Sequence, residues 1–389
     1  MKEHLYEIDL MRAFIILGVV CVHNVSFYNT FNLGITTPNV LLEMLLTALH
    51  FTRESFLFIT GLVLFITYYR KPFKATTFWK KRFFLIAIPY IFWTIAYILF
   101  SGTYLKNFSW TASHLLHTIT IALLTGNQFF LYFLLISMQL YVVFPFFVKW
   151  MKRMEKWHVW IFVGSFFLEL FLMWLNSAYV QNVNVTHLPF ILKWLILLRD
   201  RNLLTYQFWF IAGAELAIYY NPIRNYVVKH TRLILAAFLA MLLALWIHFA
   251  IGRLLLHQDY SMSDLVLQPF MIPYSLIITA VLWRAGIAWA DNRHKASIRW
   301  FSGFVKMVAA ASFGVFLVHP FALHYVEVFV YHVHPSLTWR MILLPLSIVF
   351  VYGVAIIISN FLGRIPLISY IVGQKTKLPK LRQNISRSA

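Results

Sequence analysis

Few side chains in this sequence are suited to chemistry, and those few sit inside apolar runs. Arg12 and His23 lie eleven residues apart in the first such run. Eleven residues is close to three turns of 3.6, so a helix presents both on one face, with His23 about 16 Å beyond Arg12. A guanidinium can pin a phosphate, and a neutral imidazole can accept a hydroxyl proton. The pair therefore suits a phosphate-bearing donor that threads inward from Arg12 toward His23. Arg53 and Glu54 interrupt the second apolar run, and His319 lies within a later one. Counting along each run brings His23, Arg53, Glu54 and His319 to similar depth from three helices. A carboxylate at Glu54 can hydrogen-bond a histidine N–H, fixing its tautomer and stabilising the imidazolium. The other reading of Glu54 is a self-compensating ion pair with Arg53. Lys80, Lys81 and Arg82 open the third run on the same side as Arg12 and can meet the same phosphate. Glu169, Glu215, Glu327 and His248 fall at scattered depths. Of these, Glu169, Glu327 and His248 read more simply as interhelical hydrogen-bond partners. The lone Cys21 reads as packing. The sequence holds no Walker or Rossmann glycine pattern, no H-E-x-x-H and no cysteine-based metal spacing, so no metal site is expected.

The elements that must carry these residues are membrane spans. Of 389 residues, 61% are hydrophobic and 12% charged, against roughly 25% charged in a soluble domain. That balance excludes a soluble fold, a disordered chain and a disulfide scaffold. About 20 apolar residues cross ~30 Å of hydrocarbon. Ten windows qualify: 13–29, 40–69, 83–101, 128–149, 157–175, 203–220, 233–251, 266–289, 307–331 and 340–362. The expected fold class is an all-α polytopic integral membrane protein of about ten transmembrane helices. The second window is over-long, so a kink or re-entrant turn is expected near Arg53-Glu54. Cytoplasmic loops carry the Lys/Arg excess of a membrane protein. With the N-terminus inside, 26 of the 33 Lys and Arg residues fall on the cytoplasmic side. Both termini are then cytoplasmic, and the net charge of +20 reflects topology rather than nucleic-acid binding. The first helix reads as a retained signal anchor, since no cleavage site follows it. Residues 1–363 form one transmembrane domain and 364–389 a basic cytoplasmic tail. An apolar stretch at 188–198, in the outer loop, is expected along the membrane interface.

Several of these runs carry a family likeness. The first, E-I-D-L-M-R-A-F-I-I-L-G-V-V-C-V-H, resembles the opening helix of membrane acyltransferase family 3, which pairs an Arg with a His eleven residues on. E-S-F-L-F-I-T-G, from Glu54 to Gly61, is similar to that family's F-F-x-x-S-G-like stretch, with Thr for Ser. W-K-K-R-F-F-L-I-A-I-P-Y keeps Arg82 and Pro89 of an R-x-x-R pattern before Pro, but has Leu85 at the second Arg. S-F-G-V-F-L-V-H-P-F resembles S-x-x-I-Y-L-x-H-P and places His319. The pieces F-L-Y-F-L-L-I-S-M-Q, F-W-F-I-A-G-A and I-V-G-Q-K look most like the intercellular-adhesion protein C group of poly-N-acetylglucosamine operons.

The resemblance implies a multi-pass O-acyltransferase of the cell membrane. It would move an acyl group, acetyl or succinyl, from cytosolic acyl-CoA to a hydroxyl of an extracytoplasmic glycan. Acetyl-CoA or succinyl-CoA would serve as co-substrate, with no bound cofactor. His23 and Glu54 would be catalytic, Arg12, Arg82 and Lys81 would bind acyl-CoA, and Arg53 and His319 would support the polar site. The implied partners are acyl-CoA, the glycan acceptor and the lipid bilayer. Association with a second copy or with polysaccharide synthase components stays open. The competing readings are an exporter of a poly-N-acetylglucosamine-like polysaccharide and a non-catalytic membrane subunit. The aligned Arg12 and His23 favour the enzyme, and the lack of an inverted repeat argues against a secondary transporter.

Overall fold

The computed structural model describes residues 4–31, 37–258 and 266–376, and every regular element among them is helical. In chain order the helices are α1 (Tyr6–Asn29), α2 (Thr37–Leu49), α3 (Phe51–Tyr68), α4 (Ala75–Tyr104), α5 (Ala112–Thr125), α6 (Tyr132–Arg153) and α7 (His158–Ala178). They continue as α8 (Phe190–Leu197), α9 (Gln207–Ile218), α10 (Tyr220–Lys229), α11 (Thr231–Ala250), α12 (Met271–Asn292), α13 (Arg299–Val333) and α14 (Leu337–Arg364). Among the described residues, nine helical stretches are long and apolar enough to cross a membrane. They account for nine of the ten expected windows, and the protein is a polytopic, all-helical membrane protein.

The tenth window, 203–220, forms a shorter apolar unit, Leu203–Ile218. At 1.5 Å per residue it covers about 24 Å, less than the hydrocarbon thickness. This unit packs on α3 almost backbone to backbone. A Cβ at Gly213 would collide with the Phe58 carbonyl, and one at Gly61 with the Phe210 carbonyl. Small residues permit this closeness, which drives helix association where lipid offers no hydrophobic gain.

The over-long second window breaks where expected. A single residue, His50, separates α2 from α3, three residues ahead of Arg53. One helix start is displaced for a local reason. The helix of window 128–149 begins only at Tyr132, because Gly126 and Phe129 both have positive φ and turn the chain first. The sequence reading also gave no helix at 112–125, where α5 forms, capped by Thr111. The 188–198 stretch becomes α8, none of whose residues is buried.

Helix α1 sits at the centre. Two thirds of its apolar window (67%) is buried, against 11% for the window that includes α11. Side-chain hydrogen bonds fix α1 on α14: Tyr28 Oη to Ser347 Oγ at 2.8 Å, and Tyr352 Oη to the Ala13 carbonyl at 3.1 Å. Ser55 and Thr279 hydroxyls join α3 to α12 at 2.6 Å. The chain beyond α14 is not a free tail from its start. Residues Ile368–Val372 form a turn against α4, where Trp93 Nε1 donates to the Ile371 carbonyl at 2.7 Å. The rest of the expected tail, 377–389, lies outside the described residues.

Candidate active site

Arg12 projects from α1 into a cavity of about 330 Å³, and Arg82 enters the same cavity from the start of α4. The Arg82 guanidinium lies 5.8 Å from the Tyr68 ring centre, 6.0 Å from Phe78 and 5.9 Å from Tyr141. Such aromatic faces hold a cation in place without neutralising it. The Arg82 Nε is buried with no hydrogen-bond partner among the described residues. Two guanidiniums sharing one cavity repel each other unless an anion lies between them. Thr60 of α3, Ser137 and Tyr141 of α6, Ser312 of α13 and Gly373 complete the polar part of the wall. Leu85 also lines it, so the position of the family's second arginine contributes an apolar contact here. Lys81 is exposed and does not line this cavity.

A second cavity, of about 360 Å³, lies further along α1 and is lined by His23, His50, Arg53, Tyr132, Asp200 and Arg201 among others. The His23 ring is stacked on Phe130, with centroids 3.4 Å apart, and lies 5.3 Å from the His319 ring at an interplanar angle of 19°. His319 itself is fully buried. Its position follows from the His-Pro pair in α13. Pro320 has no N–H to give to the carbonyl four residues back, which belongs to Phe316. His319 Nδ1 takes that carbonyl at 2.8 Å instead. A carbonyl only accepts, so Nδ1 carries the hydrogen and, in the neutral ring, Nε2 presents a lone pair. That Nε2 is buried without a partner among the described residues.

Arg53 reaches the same cavity, where its Nη1 donates to Tyr132 Oη at 3.2 Å. Arg201 comes from the segment between α8 and α9, anchored by Nη1 to the Thr125 carbonyl at 2.5 Å. Glu54 is not brought to either histidine. Its nearest charged partner is Arg53, Nε to Oε1 at 3.8 Å, and Oε2 has no partner among the described residues. The reason is helical geometry: consecutive residues project about 100° apart, so with Arg53 in the cavity Glu54 turns away from it. The expected carboxylate–histidine hydrogen bond is absent among the described residues.

The two cavities share three lining residues: Phe56 of α3, Phe133 of α6 and Phe316 of α13. Their rings pack in series, Phe56 to Phe133 at 5.9 Å and Phe133 to Phe316 at 5.9 Å. These are contact distances for aromatic pairs, so the cavities abut through a thin aromatic septum. Sequence reasoning read the phenylalanines as filler, because nothing in their spacing marks three of them out of 38. Phe130 and Tyr132, within the F-L-Y-F-L-L-I-S-M-Q piece, and Arg201 were given no role in the site. Among the described residues, no group of three or more His, Cys, Asp or Glu side chains is arranged to hold a metal ion.

One cavity lined by two arginines and a second lined by His23, whose ring lies beside the buried His319, thus sit within one helical membrane body. A family model described as an acyltransferase domain matches residues 5–363, so the chain belongs to that acyltransferase family. No curated protein and no solved structure matches it.

Proposed function

We propose that this protein is an O-acyltransferase that moves an acetyl or succinyl group from cytosolic acyl-CoA to a hydroxyl of an extracytoplasmic glycan. The observation that carries this reading is the pair of cavities, one lined by Arg12 and Arg82, the other by His23 with His319 buried beside its ring, meeting at a shared septum. The Lys/Arg excess of the loops puts the Arg12 cavity on the cytoplasmic side. There the CoA phosphates meet two guanidiniums with no carboxylate among the residues lining that cavity. The thioester end is slim enough to extend along α1 toward His23, about 16 Å away. The glycan hydroxyl approaches from the other side, past Arg201 and Tyr132.

The chemistry follows from this arrangement. A ring nitrogen of His23 takes the hydroxyl proton as the oxygen attacks the thioester carbonyl. The new C–O ester bond forms, the C–S bond breaks, and the proton passes to the departing CoA thiolate. Phe130 holds the His23 ring in its plane. The free Nε2 of His319 accepts from the second hydroxyl of the sugar or from a water, and so orients the acceptor. Arg53 is read as a support of that polar wall, and Glu54 as its charge partner. The likeness to the intercellular-adhesion protein C group suggests a poly-N-acetylglucosamine-type acceptor at the cell membrane. Two small cavities separated by contacting rings give a polymer exporter little to work with, which favours the enzyme.

The test is direct. Purified protein is supplied with acetyl-CoA or succinyl-CoA and an oligomer of N-acetylglucosamine, and the products are read by mass spectrometry. An acylated oligomer from the wild type and none from His23→Ala is the expected outcome. Equal turnover by both proteins removes His23 from the reaction.

A further inference from the structure

The septum between the cavities has a property that neither cavity has alone. Among the described residues, Phe56, Phe133 and Phe316 alone line both, and each comes from a different helix. Phe133 is the middle ring, 5.9 Å from each neighbour and tilted by 59° and 58°. No open bore passes between rings at that spacing. Phe316 lies in turn 6.2 Å from His319, so whatever crosses the septum arrives beside the imidazole pair. None of the three rings is fully buried, which leaves each of them a free side to turn into.

We propose that Phe56, Phe133 and Phe316 form a size filter and water seal, which passes a short acyl thioester to His23 and holds back longer chains. The proposal rests on the acyl-transfer reading above and deepens it. A two-carbon acyl group crosses when Phe133 swings aside by one rotamer, a motion on the ps–ns to ns–μs scale. A longer chain must pass its whole tail through the gap ahead of the thioester and requires all three rings to be displaced together, against the packing of α3, α6 and α13. While the donor thioester is still on the Arg12 side, the closed rings separate it from water on the acceptor side. This prevents the side reaction in which water takes the place of the sugar hydroxyl and yields free acid and CoA thiol. These three residues act on the reactants by position and bulk, while proton transfer stays with His23.

The test measures kcat/KM for acetyl-, butyryl- and hexanoyl-CoA in the wild type, Phe133→Ala and the milder Phe133→Leu. Wild type should prefer acetyl over hexanoyl by at least a hundredfold. Phe133→Ala should shrink that ratio at least tenfold and raise acyl-CoA hydrolysis without acceptor, with Phe133→Leu in between. A purely structural role would lower all three donors alike and leave the ratio fixed, and that result overturns the filter. Failure of the underlying reading looks different: no donor is used by any variant. The seal is then read without turnover, by placing Val22→Cys, on the His23 cavity wall, in a Cys21→Ser background. In sealed vesicles a membrane-impermeant thiosulfonate supplied at the Arg12 side should label this cysteine only when Phe133 is alanine. Labelling at the same rate with Phe133 intact overturns the seal.

Discussion

Two regions of the molecule each bury an imidazole whose ring nitrogen is spent on a backbone carbonyl, and they differ in what the other nitrogen finds. In the α1–α13 region, His319 gives Nδ1–H to Phe316 and leaves Nε2 unpartnered among the described residues, beside His23 and a polar cavity. In the α7–α9 region, His158 gives Nε2–H to the Met151 carbonyl at 2.9 Å, and its Nδ1 lies 3.4 Å from Glu215 Oε2. By the usual pattern of catalysis the second region looks the more active, since it has the histidine–carboxylate pair. Its cavity, of about 300 Å³, is however lined mainly by apolar side chains such as Phe58, Phe162, Leu216 and Trp283, with no arginine or lysine to bind a donor. The pair there ties the start of α7 to the end of α9. A carboxylate held 3.4 Å from a buried histidine, as a charge contact rather than a hydrogen bond, is interhelical glue. A histidine left unsatisfied next to a cation-lined cavity is a site in waiting.

The largest expected effect separates the two regions outright. His23→Ala should lower acyl transfer by about 10²–10⁴-fold, the range of a lost general base, with helical content and Tm near wild type. His158→Ala should do the reverse. It strands Glu215 in the interior, at a cost of about 3 kcal/mol or more, read as a lower thermal midpoint with kcat of the folded enzyme within twofold. Adding Glu215→Gln to His158→Ala should return part of that stability. Loss of turnover in His158→Ala at unchanged stability would reverse the assignment of the two regions.

Smaller effects sharpen the picture within the α1–α13 region. Arg12→Ala should raise the KM for acyl-CoA about tenfold, the equivalent of ~1.4 kcal/mol. Arg82→Ala should raise it somewhat less, because Arg82 does not share the face of α1 with His23. Glu54→Gln should reduce stability by about 1 kcal/mol through its loosened hold on Arg53, and turnover by less than tenfold. A tenfold or greater fall in kcat with the donor KM unchanged would return Glu54 to the chemistry. The least effect belongs to Lys81→Ala, whose exposed ammonium is screened by solvent and salt. Its KM for acyl-CoA should stay within about twofold of wild type.

How much of this was legible in the sequence depends on the range of the interaction. Hydrophobic runs located the long helices, because each run must match the bilayer on its own. The eleven-residue step from Arg12 to His23 was legible for the same reason, being internal to one helix. The break at His50 was legible through the charged pair that follows it. Apart from Arg82 with Arg12 and His319 with His23, contacts between helices were not legible. Glu54 was expected on a histidine because both lie at similar depth, but depth fixes only one of three coordinates, and rotation about α3 turned the carboxylate away. The histidine–carboxylate contact formed instead between His158 and Glu215, 57 residues apart, as a 3.4 Å charge contact. The shortness of Leu203–Ile218 and the presence of α5 also escaped notice. Their lengths are set by what they pack on rather than by the bilayer. The septum was hidden most completely, since three phenylalanines become special only through each other.

The central claim is that donor and acceptor meet at His23 from opposite sides of the membrane. Sealed proteoliposomes of known orientation test it most directly, with [¹⁴C]acetyl-CoA confined to the Arg12 side and an N-acetylglucosamine oligomer confined to the other. Wild type should transfer label to the oligomer across the bilayer, and His23→Ala should transfer none. Label appearing only when both reactants share one side, or appearing equally with His23→Ala, would contradict the account.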